Sequence, residues 1–248
     1  MAIYKFLLCL TWVITIQAFA SNEEQQKDTI NGVSVKSHKD DSTRTYIGTV
    51  SKSIPANLET VMKSIVNFNE KCNNAHKSRR KNTSQSIDCR YHNENVVETV
   101  IIKDINQNGW KKDAKEVERY LLARRVYNRA DFQYYELIRI YEDKNEKNQR
   151  TMKVVQTMMT DKEVKSYTKP LFEKDSAFDS VTSIYFLTEI EPKKTDLSYE
   201  YKADTEHWIL NKEVSVPQVF SSISKGINDL LKAVDSESNK ISRELASN

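Results

Sequence analysis

The segment 132–142 reads FQYYELIRIYE, and at a period of two it divides into two faces. Phe132, Tyr134, Glu136, Ile138 and Ile140 form the more apolar face, which should point inward. That face carries a carboxylate, Glu136, whose burial is costly unless a partner is present. Arg124 or Arg125, on the preceding segment 118–128, could supply one. A buried Glu–Arg pair would give an apolar pocket one polar end, suited to a ligand head group. The same pair could serve as a structural ion pair at a sheet edge. A different register would instead turn Glu136 to water.

The same logic selects Gln156 among Met152, Val154 and Met158, and Tyr199 and Tyr201 beside Leu197. Methionine adapts to varied apolar shapes, and tyrosine offers a ring with a hydroxyl. Ordinary core packing would use these residue types as well. His207-Trp208 precedes the last apolar stripe. A histidine in a hinge can act as acid, base or pH sensor, and such a pair can equally anchor a linker by packing. The sequence has no GxSxG, HExxH or phosphate-cradling glycine-rich loop. His38, His76 and His92 lie in polar segments, so neither a metal triad nor a cofactor site is expected.

Composition narrows the classes. Of 248 residues, 38 are basic and 35 acidic, a net charge of +3 that does not mark a dedicated nucleic-acid binder. Four glycines and four prolines exclude collagen-like and Gly/Pro-rich disordered chains. Residues 1–20 read as a secretory signal: Lys5, the apolar run Phe6 to Ile16, then Ala18-Phe19-Ala20, with cleavage expected after Ala20. Export to an oxidising compartment makes a Cys72–Cys89 disulfide the expectation, with two free thiols as the alternative. Lys71, Lys77, Arg79, Arg80 and Lys81 cluster in a polar stretch that could touch an anionic membrane.

The elements that would position these residues follow from periodicity. Residues 21–44 read as a flexible polar leader, and structure is expected to begin near Thr45 with the strand YIGTVSKSI. Pro55 should open a helix whose apolar face is Leu58, Val61, Met62 and Ile65. Strands are expected at 95–103, 118–128, 132–142, 151–159, 181–190 and 196–203, joined as one antiparallel meander with a longer loop at about 160–180. Ser215, Pro217 and Gln218 suggest a helix start. Val219, Phe220, Ile223, Ile227, Leu230, Leu231 and Val234 then mark one stripe of a helix of about eighteen residues. Residues 236–248 read as a polar tail. Such a sheet must cover its inner face, and the last helix is the available cover.

This order of elements resembles the START-like, helix-grip (SRPBCC) superfamily, which includes lipid-transfer domains and polyketide cyclase-like proteins. The resemblance is carried by SKSIPANLETVMKSIVNF, RRVYNRADFQYYELIRIYE and YEYKADTEHWILNKEVSVPQVFSSISKGINDLLK, and it spans residues 45–235. It implies an α+β fold in which a curved antiparallel sheet of about seven strands wraps a long C-terminal helix. It also implies a cavity for a sterol, phospholipid or other apolar molecule between sheet and helix. The candidate lining is Arg124, Tyr134, Glu136, Ile138, Met152, Val154, Gln156, Tyr199, Tyr201, Phe220, Ile223 and Ile227. The expected protein is an exported, monomeric carrier of an apolar ligand. The alternatives are a cyclase- or hydrolase-like enzyme using Glu136 or His207, and a secreted interaction protein with a filled core.

Overall fold

A computed structural model describes residues 26–66, 86–91, 95–104, 115–127, 132–167, 169 and 173–247, with backbone alone for 86–91, 95–104, 123–127 and Phe132. Ten strands form one antiparallel sheet. They are β1 (Gln26–Ile30), β2 (Val33–Asp40), β3 (Thr43–Ile54), β4 (Ser86–Tyr91), β5 (Asn95–Asp104), β6 (Glu116–Tyr127), β7 (Phe132–Lys144), β8 (Arg150–Met159), β9 (Ser180–Glu191) and β10 (Lys194–Thr205). Their spatial order is β1-β2-β3-β10-β9-β8-β7-β6-β5-β4. The helices are α1 (Leu58–Val66), α2 (Asp161–Lys165) and α3 (Val216–Ser247), the last preceded by a 3-10 turn at Glu213–Ser215. The sheet grips α3 in the α+β arrangement expected, with ten strands rather than about seven.

Two of the three strands beyond those expected lie where a flexible leader was expected. Within 21–44, β1 and β2 form a hairpin closed by Asn31-Gly32, both at positive φ (51° and 80°). That is the backbone a two-residue hairpin turn requires, and Asn-Gly supplies it at low cost. The hairpin is polar because only one of its faces is buried: Val33, Val35 and Ser37 are inside, with Ser34 and Lys36 between them half-buried. The helix expected to open at Pro55 begins at Leu58, where the Asn57 side chain accepts the Thr60 N–H at 2.8 Å as a cap. The polar tail expected from 236 is also ordered: α3 runs 32 residues, and Ser238 is buried with its hydroxyl donating to Ser64 of α1 at 3.0 Å.

Segment 132–142 is apolar on both faces because both are covered. Ile138 and Ile140 join the main core with α1 and α3. Tyr135 packs with Leu121, Met159 and Val164 under α2, in the region expected as loop. The Thr160–Glu163 capping box starts α2. The expected signal segment, Cys72 and the basic cluster from Lys71 to Lys81 lie outside the described residues, and Cys89 is described only by its backbone in β4.

Helix α3 is fixed along its length. Ser224 donates to the Ile30 carbonyl at 2.6 Å, Asp235 meets Lys52 at 2.9 Å, and Ser238 reaches α1. The helix also comes close to the sheet at Gly48 of β3. A Cβ there would stand 2.7 Å from both Ile223 Cγ2 and Ile227 Cδ1. Gly48→Val should therefore push α3 off the sheet and cost about 1–3 kcal/mol by overpacking. Urea denaturation reads this directly, and an unchanged midpoint would mean that α3 does not touch β3 there.

Candidate functional site

Where α3 lifts away from β10, a cavity of about 670 Å³ opens. Its sheet wall is Tyr199 and Tyr201 of β10, and its helix wall is Gln218, Val219, Ser222, Ile223, Gly226, Ile227 and Leu230 of α3. Ile209, Leu210 and Ser215 of the β10–α3 linker and Phe178 before β9 complete the described wall. Among the described residues, none that lines it carries a charge.

The sheet wall is built by register. Gly48, Tyr201, Ser183, Gln156 and Ile138 are successive cross-strand partners from β3 to β7. The row beside it runs Val50, Tyr199, Tyr185, Val154 and Ile140. Directly paired residues share a face, so a small residue at Gly48 sits beside a large one at Tyr201. The Tyr199 and Ser183 hydroxyls are 2.9 Å apart, and the Tyr185 and Tyr199 rings lie 4.7 Å apart at 50°. Burial pushes the Tyr199 hydroxyl up to about 12; the Ser183 hydrogen bond opposes that shift and the Glu136 charge adds to it. Burial raises Tyr201 further, with Tyr199 and Tyr134 adding to the shift. Both phenols are neutral at ordinary pH.

Of the twelve candidate lining residues, Tyr199, Tyr201, Ile223 and Ile227 line this cavity. Ile138, Met152, Val154 and Phe220 are packed in the main core, Phe220 edge-on to Tyr46 at 6.3 Å. Tyr134 and Gln156 are half-buried on β7 and β8. Glu136 is 8% exposed and close enough to Tyr199 to influence its ionisation. Leu122 is its direct partner on β6, whereas Arg124 faces Tyr134 and Arg125 faces Gln133. The side chains of both arginines lie outside the described residues.

His207 sits in the linker and does not line the cavity. Its N–H donates to Thr205 Oγ1 at 3.0 Å, and its Nδ1 accepts the Ile209 N–H at 3.4 Å. Its ring stacks on Trp208 at 6.3 Å. Ser215 does not begin a capping box: its hydroxyl donates to the Ile209 carbonyl at 2.8 Å. Among the described residues no group of His, Cys, Asp and Glu side chains is placed to hold a metal ion.

Sequence reasoning missed the linker wall and Phe178. Ile209-Leu210 was the available signal, an apolar pair inside a polar stretch. It also missed Arg44, which is wholly buried. Its guanidinium donates to Glu213, to Ser37 Oγ at 3.3 Å and to the Asn211 carbonyl at 3.3 Å.

No protein-family model matches the chain, and no curated protein matches it in sequence. Solved structures of similar arrangement include human StAR-related lipid transfer protein 5, at 12% identity and TM-score 0.46, covering 96% of this chain and 97% of that one. A STAR-related lipid transfer protein from Xanthomonas axonopodis has 11% identity and TM-score 0.46, covering 87% and 98%. A START superfamily protein from Mycobacterium smegmatis has 9% identity and TM-score 0.43, covering 79% and 98%. These are likenesses of overall arrangement, and the functional reading rests on the cavity's own residues.

The tyrosine wall has a pH signature. An unfolded tyrosine ionises near about 10, so the folded state holds the Tyr199 proton more tightly. Its stabilising contribution is complete below about pH 10 and is lost as pH rises towards about 12. Denaturation midpoints should fall across that window, and less steeply for Tyr199→Phe. Parallel curves for the two proteins would mean that Tyr199 is not buried as described.

Proposed function

We propose that the protein is an exported carrier that sequesters a lipid or other apolar small molecule between β10, the linker and α3. The observation that carries this reading is a cavity of about 670 Å³ whose described wall is aliphatic, aromatic or neutral polar throughout. That volume lies inside the range of roughly 300–1,000 Å³ typical of small-molecule sites. Burying an apolar ligand against such a wall gains about 25 cal/mol per Å² of apolar area removed from water. The Tyr201 hydroxyl and the Gln218 amide offer hydrogen bonds without charge, and the Ser215 and Ser222 hydroxyls, which donate to the Ile209 and Gln218 carbonyls, can accept one. They suit a ligand with a neutral polar end and an apolar body. Export is supported by the N-terminal pattern of residues 1–20.

Gly226 gives a direct test. It lines the cavity, and a Cβ added there meets nothing within 4 Å. Gly226→Phe should place its ring in the cavity while leaving stability intact. Titration with a fluorescent fatty acid and a fluorescent sterol should give saturable binding of at least one. That binding should weaken about tenfold or more in the variant, a difference of roughly 1.4 kcal/mol. Equal affinity in both proteins, or no binding of either probe, would refute the cavity as the ligand site.

A further inference from the structure

The linker that walls the cavity also presents an apolar tip to solvent. Seven large apolar side chains are exposed among the described residues, and three fall within 208–214: Trp208 at 67%, Ile209 at 43% and Val214 at 82%. The other four are dispersed over β6, β9 and the end of α3. Ile209 belongs to both surfaces, since it lines the cavity and is open to water. Trp208 and Val214 do not line the cavity, so neither the core nor the ligand site accounts for them.

The tip is held in place. Tyr46 donates its hydroxyl to the Leu210 carbonyl at 2.5 Å, and the Asn211 side-chain amide donates to the Ser42 carbonyl. Backbone bonds from Asn211 to His207 (2.9 Å) and from Lys212 to Ile209 (3.1 Å) close the turn. A segment anchored this way keeps its apolar side chains in water, and clustered exposure of that kind marks an interaction surface.

Charge selects the partner. The two carboxylates of the linker are exposed but each is paired within the protein: Glu206 accepts from the Ser42 and Thr43 hydroxyls, and Glu213 from Arg44 and Gln26. Lys212 instead lies over the outer indole, its Nζ 4.9 Å from the Trp208 ring centre. An indole beside a lysine, flanked by two aliphatic side chains, is the chemistry of a membrane interface. Indole rings settle at the head-group level, and lysine reaches anionic lipid. A stable protein partner would need about 20–30 residues a side, far more than this tip offers. No described helix is long and apolar enough to cross a membrane, so contact through this linker would be peripheral.

We propose that the linker 206–215 docks the protein on an anionic lipid bilayer. Trp208, Ile209 and Val214 enter the interface, Lys212 meets the head groups, and the cavity rim at Ile209 faces the membrane. The role of that rim rests on the carrier reading; the docking itself does not.

The test uses the purified protein with two kinds of vesicle, phosphatidylcholine alone and an equimolar mixture with phosphatidylserine. The protein should sediment with the mixed vesicles and its tryptophan emission should shift to the blue. Trp208→Phe should remove most of that shift, separating Trp208 from Trp12 and Trp110. Trp208→Ser combined with Val214→Ser should weaken partitioning about tenfold or more, with an unchanged melting temperature. Lys212→Ala should weaken binding to the mixed vesicles alone, and added salt should do the same. Equal partitioning of wild type and double variant would overturn the proposal. So would emission unchanged by either vesicle, which would leave the tip to a protein partner. A chain that takes up a fluorescent lipid but ignores vesicles overturns docking alone. Vesicle binding by a chain with an empty cavity supports docking and sinks the carrier reading.

Discussion

A wholly buried guanidinium constrains the cavity-bearing half of this fold. Taking an ion out of water costs several kcal/mol, repaid only by close and complete pairing. Arg44, at the start of β3, finds that pairing in Ser37 of the neighbouring strand and in two groups of the linker, the Asn211 carbonyl and the Glu213 carboxylate. Its side chain is fully buried while that of Glu213 is 43% exposed. The linker therefore cannot leave without stranding a charge in the interior. Its position sets where α3 begins, and its residues Ile209, Leu210 and Ser215 form one wall of the cavity.

From that start α3 crosses the sheet unevenly. It touches at Gly48, where the absence of a side chain admits Ile223 and Ile227, and it stands away from the adjacent β10. Gly48 is paired with Tyr201, so the contact and the opening are neighbours in one cross-strand row. Beyond Tyr201 that row continues through Ser183 and Gln156, polar side chains on the inner face of the sheet. Close-packed interiors leave few voids. A cavity here needs a helix held off the sheet, and the bonds from Ser224 to Ile30, from Asp235 to Lys52 and from Ser238 to Ser64 hold it beside the opening and beyond its C-terminal end.

Periodicity made the main architecture legible. The meander from 95 to 203, the stripe from Val219 to Val234 and the helix over 58–65 are strong patterns, and Tyr199, Tyr201, Ile223 and Ile227 follow from them. The β1–β2 hairpin was legible in principle, because Asn31-Gly32 between short alternating runs is a turn signal. It was hidden by polarity, since a hairpin at a sheet edge needs few apolar residues on its one covered face. The last turns of α3 were hidden for a related reason: their anchor is a serine pair, Ser64 and Ser238, rather than an apolar stripe. Arg44 and Gly48 could not be read at all. Each takes its meaning from residues more than 160 positions away, Glu213 for one and Ile223 for the other. The partner of Glu136 depends on register, and the register puts Leu122 opposite it.

The central claim is that the space under α3 holds an apolar molecule. The most direct measurement is organic extraction of the protein purified from its native host, followed by mass spectrometry of the extract against protein concentration. The account predicts one lipid or similar apolar compound at close to one equivalent, retained through purification and absent from a Gly226→Phe preparation. An extract with no compound enriched over the buffer, or equal amounts from both proteins, would contradict it.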